Sequence, residues 1–193
     1  MVKITFVERD GLRREHEAPE GWSALDVAIQ HEIASILGRC CGGCVCATCH
    51  VYVDAPYAER LPAPSHDEVT AIRAAAFDRQ PNLLTVHIAT IPERMSFDVK
   101  RFTAKPGQPV KLVFSNPDLM QNNLVIVKPG ALEEVGVAGN EMAKDPDGIK
   151  KDFVPVSDKI IHATKLIDPR ATVTLRFNAP TAPGLYQIGR AHV

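Results

Sequence analysis

All five cysteines of this 193-residue chain fall within ten positions, in the stretch RCCGGCVCATCH from Arg39 to His50. Thiolates at that density ligate metal or carry redox chemistry rather than fill a core. Three chemistries fit the spacing. Cys40, Cys46 and Cys49 form C-x5-C-x2-C, in which thiolates on one tight loop wrap a pair of irons. Gly42, Gly43 and Ala47 would let backbone N–H groups approach the sulfurs. Cys41 offers a second register, C-x4-C-x2-C. Cys46-Ala47-Thr48-Cys49-His50 also satisfies the C-x-x-C-H pattern of covalent haem attachment. Finally, Cys41-x2-Cys44 and Cys46-x2-Cys49 are two C-x2-C pairs, as in zinc sites. Their one-residue spacer makes closure around a single tetrahedral ion hard.

The elements that must position this loop are legible on both sides of it. Val2, Ile4 and Phe6 alternate with neighbours in a half-buried strand. Asp10-Gly11 signals a hairpin turn, with Leu12 to Glu17 returning. Ser23 caps a helix reaching about His31, with Asp26 in a capping-box position. After the loop, His50 to Asp54 is expected as a strand. Prolines 56, 62 and 64 then break the chain, and Ser65 caps a second helix over about Asp67 to Phe77.

These residues, with MVKITFVERDG at the start and CATCHVYVD closing the loop, resemble an adrenodoxin-type 2Fe-2S ferredoxin over residues 1–82. The resemblance implies a β-grasp fold, one-electron transfer and docking to a ferredoxin reductase and an electron acceptor. It carries the first three cluster ligands onto Cys40, Cys46 and Cys49. Cys41 stands where the family usually has glycine, which leaves Cys41 as an alternate first ligand, and Cys44 reads as a non-ligand. The family's fourth cysteine follows the second helix, yet no cysteine follows Cys49 here. His87 stands close to that position and is the alternate fourth ligand, although an outward-facing strand residue is the preferred reading. Asp67 and Glu68 occupy the place from which the family docks its reductase.

Past Pro81-Asn82 the texture changes. Thr85 to Thr90, Met95 to Phe102, Val110 to Ser115, Asn123 to Val127, Ile160 to Lys165 and Thr172 to Phe177 read as short strands between Pro and Gly turns. Ala131 to Lys144 reads as a helical excursion. Regular short strands suggest a β-sandwich. Ile91-Pro92-Glu93-Arg94-Met95-Ser96-Phe97-Asp98, the run from Phe102 to Val110, and Asn123-Leu124-Val125-Ile126 resemble a cupredoxin over residues 84–186. That family holds blue copper with two histidines, a cysteine and a weak axial methionine. Asn122 stands at its first histidine, and no Cys or Met follows Pro183-Gly184-Leu185-Tyr186, so no blue-copper site is expected. His162 is expected as a plain strand residue.

The expected architecture is therefore an α+β β-grasp domain followed by an all-β Greek-key sandwich, both incomplete at their C-terminal ends. Residues 187–193 show no strand period and no cap and are expected to be a non-native tail. Formal charge is −1 with no basic run, which offers nucleic acid and anionic membranes little attraction. No apolar run approaches the roughly 20 residues that cross a bilayer, and the first residues alternate rather than form a leader's apolar core. A cytoplasmic location is expected. The function expected is electron transfer through a 2Fe-2S cluster, not enzymatic catalysis. The alternative is a metal-free β-sandwich binding module joined to a non-functional ferredoxin remnant, in a chimeric or truncated reading frame.

Overall fold

The computed structural model describes residues 1–94 and 96–190. The chain divides into two compact units, Met1–Arg79 and Gln80–Val193.

In the first unit, β1 (Val2–Val7) and β2 (Arg13–Ala18) pair antiparallel, Val2 opposite Ala18 and Val7 opposite Arg13. Their turn is closed by Leu12 N–H donating to the Asp10 carboxylate at 3.0 Å, with Gly11 at φ +84°. Helix α1 (Ala24–Gln30) begins with the anticipated capping box: Asp26 N–H donates to Ser23 Oγ (3.1 Å), and Ser23 N–H donates back to Asp26 (2.9 Å). Val27 and Ala28 on α1, with Phe6, Ala18 and Ile33, are the buried core. Five buried core residues are few for a unit of this size. A single turn, α2 (Ala55–Ala58), precedes α3 (His66–Asp78), which Ser65 caps through Glu68 N–H at 3.2 Å. Helix α3 buries no residue fully.

His50 to Asp54, expected as a strand, is not one. Val51, Tyr52 and Val53 are all exposed, and no strand lies beside them to take their backbone hydrogen bonds. β-propensity needs a partner edge, and the only sheet of this unit among the described residues is the β1–β2 pair.

The second unit is a two-layer sandwich. One sheet has β3 (Leu84–Ala89) parallel to β4 (Pro109–Ser115), with β7 (Thr172–Asn178) antiparallel on the other side of β4. The second sheet has β5 (Val125–Val127) between β6 (Ile160–Ala163) and β8 (Gln187–Gly189). Val110, Leu112 and Phe114 alternate inward from β4, where they meet Val86, Ile88, Leu124, Ile126 and Phe177. β5 is buried on both faces because α4 (Leu132–Met142) covers its outer side through Ala131 and Val135.

Two further expectations are corrected. The strand over Met95 to Phe102 reduces, among its described residues, to a single bridge between Thr90 and Phe97; Met95 lies outside the described residues. Here the Asp98 carboxylate accepts Ala89 N–H at 2.7 Å and Val99 N–H at 2.8 Å. A side chain thereby takes bonds that a ladder would have used. The expected lack of regular structure from residue 187 is also overturned in part. Gln187–Gly189 pairs with β5, and Arg190 enters a buried network; residues 191–193 of the expected tail lie outside the described residues.

Candidate metal centre

The cysteine loop leaves α1 through Ile33 and is pinned at its base by residue 48. Leu37 N–H donates to Thr48 C=O at 3.1 Å, and Arg39 N–H donates to Thr48 Oγ1 at 3.0 Å. The loop then coils through left-handed residues: Gly38, Cys41, Gly42, Cys44 and Ala47 all have φ between +50° and +83°. At Gly38 a Cβ would sit 2.6 Å from Leu25 Cδ1 on α1 and would push that side chain aside. Left-handed residues interspersed along a loop turn successive N–H groups inward, as in an anion-binding nest.

The Cys40 sulfur takes the Cys46 thiol as donor at 3.1 Å, and Gly43 N–H donates to the Cys40 carbonyl at 2.9 Å. The Cys46 N–H first, then the Cys46 thiol, then the Val45 N–H bring the Cys40 thiol down to about 6. Cys46 Sγ also lies 2.9 Å from Thr48 Oγ1. The Cys49 thiol is pushed up, first by burial and then by the charges of Cys40 and Cys46, so it shares their electrostatic environment. Mutual repulsion between thiolates is what a cationic iron centre relieves.

Cys41 and Cys44 do not join this pair of sulfurs. Cys41 is exposed, and Cys44 turns its thiol to the Gly42 carbonyl at 3.7 Å. His87 is an exposed residue of β3 opposite Val113, in the second unit. Among the described residues, no group of three or more His, Cys, Asp and Glu converges as one bare ion requires. A binuclear cluster is larger and spreads its ligands over two irons and two sulfides. The structure brings the Cys40 and Cys46 sulfurs to 3.1 Å of each other, and the ligand set is incomplete. Thr48, which holds both the loop base and Cys46, escaped the sequence reading; its only signal was a hydroxyl between two cysteines.

A family model for the 2Fe-2S iron-sulfur cluster binding domain matches residues 7–74. Putidaredoxin of Pseudomonas putida is 35% identical over 94 residues, covering 48% of this chain and 88% of that protein. The chain belongs to the 2Fe-2S ferredoxins. The mitochondrial adrenodoxin homolog of Saccharomyces cerevisiae is 45% identical over 67 residues, 35% of this chain and 38% of the yeast protein. The ferredoxin therefore spans most of one relative but well under half of the other.

Similarity also extends to the second unit. Auracyanin A, a blue copper protein from Chloroflexus aurantiacus, is 29% identical over 54% of this chain and 83% of that one, with a TM-score of 0.48. One end of this sandwich holds amides and a guanidinium. Fully buried Asn122 donates to Asn116 Oδ1 at 3.0 Å and to Met120 C=O at 3.1 Å. Arg190 donates to Asn122 Oδ1 at 3.0 Å and to Arg94 C=O at 2.7 Å, and lies 3.7 Å from Asp118. His162 is on β6, its ring 4.5 Å from that of Phe177, and burial pushes its pKa down.

Proposed function

We propose that this ferredoxin is a one-electron carrier whose 2Fe-2S cluster is held by Cys40, Cys46 and Cys49. The observation that carries the proposal is the contact of the Cys46 thiol with the Cys40 sulfur at 3.1 Å, on a loop coiled through left-handed residues. N–H donors stabilise the negative charge that a reduced cluster gains, which raises its potential. The cluster supplies the redox centre. The chain supplies thiolate ligands, the nest of donors and a loop held rigid by Thr48. It acts as a carrier, not as an enzyme with a substrate of its own. Its partners are a reductase and an electron acceptor, with Asp67 and Glu68 at the exposed start of α3 as docking charges.

For the second unit we propose a sandwich that binds no copper. Asn122, at the position of the first copper histidine, spends its amide on Asn116, Met120 and Arg190. A divalent cation next to the Arg190 guanidinium meets like charge in a low-dielectric setting.

The test is reconstitution with iron and sulfide under anaerobic conditions. Visible charge-transfer absorbance with two irons per chain supports the carrier. Loss of that absorbance in Cys40→Ser, Cys46→Ser and Cys49→Ser, but not in Cys44→Ser, supports the ligand assignment. A colourless chain after reconstitution refutes the carrier. Copper titration followed by absorbance near 600 nm tests the second unit, where an intense blue band is the contrary result.

A further inference from the structure

We propose that the second unit binds an amphipathic monocarboxylate, an aliphatic chain ending in a carboxylate, in the space between its two sheets. A cavity of about 910 Å³ lies there, walled by Ile88, Val110 and Phe177 from one sheet and Ile126 and Ile188 from the other. This is in the size range of small-molecule sites.

The charge around the cavity selects the head group. Lys100, Arg101 and Arg190 line it, and among the described residues no Asp or Glu does. Lys100 and Arg101 are exposed while still contributing to the lining, which puts them at the mouth. No ion-pair partner of either appears among the described residues. Arg190, whose side chain is only 8% exposed, faces Asp118 at 3.7 Å and is thereby partly neutralised. The free cations are thus those at the mouth, where a carboxylate can meet them while its chain lies inside.

Unused hydrogen-bonding capacity is an independent sign. Among the described residues, Gln187 Oε1 and Arg190 Nε are buried without a partner, and both residues line the cavity. Buried polar atoms left unpaired are uncommon and costly. A wall that retains them suits a ligand with a polar end better than a bare hydrocarbon.

The experiment is calorimetric titration of the full chain, which needs no cluster and so stands apart from the electron-transfer proposal. Octanoate, decanoate and dodecanoate are the probes, below their micelle concentrations. Affinity is expected to rise about fourfold per added methylene as apolar surface is buried. The Lys100→Glu, Arg101→Glu double variant is expected to weaken dodecanoate about tenfold and leave dodecanol unchanged. Val99→Trp, which fills the mouth from a half-buried loop position, is expected to abolish both. Circular dichroism of each variant reports folding, and the charge variant touches no core residue. The proposal is overturned if none of the acids binds. It is equally overturned if dodecanol matches dodecanoate and both respond alike to the charge variant. Occupation by an apolar β-strand peptide that dodecanoate does not displace would also overturn it.

Discussion

Thr48 offers the sharpest test of how the cysteine loop is held. Its hydroxyl accepts Arg39 N–H at 3.0 Å and lies 2.9 Å from Cys46 Sγ. Thr48→Val removes both contacts and keeps the shape. Arg39 is exposed, so its freed N–H still reaches water, and the loss falls near the middle of the range for one hydrogen bond, about 1 kcal/mol. The backbone bond from Leu37 N–H to Thr48 C=O remains, so the loop loosens rather than unfolds. If cluster loss proceeds through the opened loop, 1 kcal/mol corresponds to about fivefold faster bleaching. The assay is the decay of visible absorbance after a strong iron chelator is added to the reconstituted protein. Thr48→Ser keeps the hydroxyl and is expected to bleach close to the parent rate. A Val variant that bleaches at the parent rate, or a Ser variant that bleaches as fast as Val, would show that the hydroxyl does not hold the loop.

Other consequences can be checked alongside it. Cys40, brought down to about 6, is mostly thiolate at neutral pH, so in cluster-free protein it should be the first thiol alkylated by iodoacetamide, half-maximally near pH 6 by peptide mapping. Uniform labelling of all five cysteines at that pH would contradict the nest. His16 stacks on His31 with ring centroids 4.0 Å apart, and burial, then His31 and Arg14, push its pKa down. A histidine with a depressed folded pKa contributes stability that is present above its unfolded value of about 6.5 and is lost as pH falls through the folded one. The first unit is therefore expected to lose stability in mild acid, and His16→Phe to lose less, as read by the Trp22 fluorescence melt. Leu112 is fully buried in the centre of β4, and Leu112→Ala is expected to cost about 2–5 kcal/mol in denaturant unfolding. Gly38→Ala combines a left-handed φ of +54° with a Cβ 2.6 Å from Leu25, so slower cluster assembly than in the parent is expected.

What the residues determined by themselves is local. The Ser23–Asp26 capping box, the Ser65 cap, the Asp10-Gly11 turn and the inward alternation of Val110, Leu112 and Phe114 each depend on groups a few positions apart. So does the grouping of five cysteines on one loop, because chain connectivity alone keeps them within reach of one another. What the tertiary structure decided depends on partners brought from far along the chain. His50 to Asp54 has strand-forming residues but no edge to pair with, and stays irregular. Asp98 diverts backbone donors that a strand would have used, and β5 loses its alternation because α4 covers its second face. Gln187–Gly189 becomes a strand only because β5 offers its edge. Arg190 reaches Asn122 across 68 residues of sequence, and that contact fills the end of the sandwich with a guanidinium. Sequence spacing encodes which groups lie within a turn or two of each other. A hydrogen bond between distant segments forms only where folding has already removed water and set the two backbones side by side.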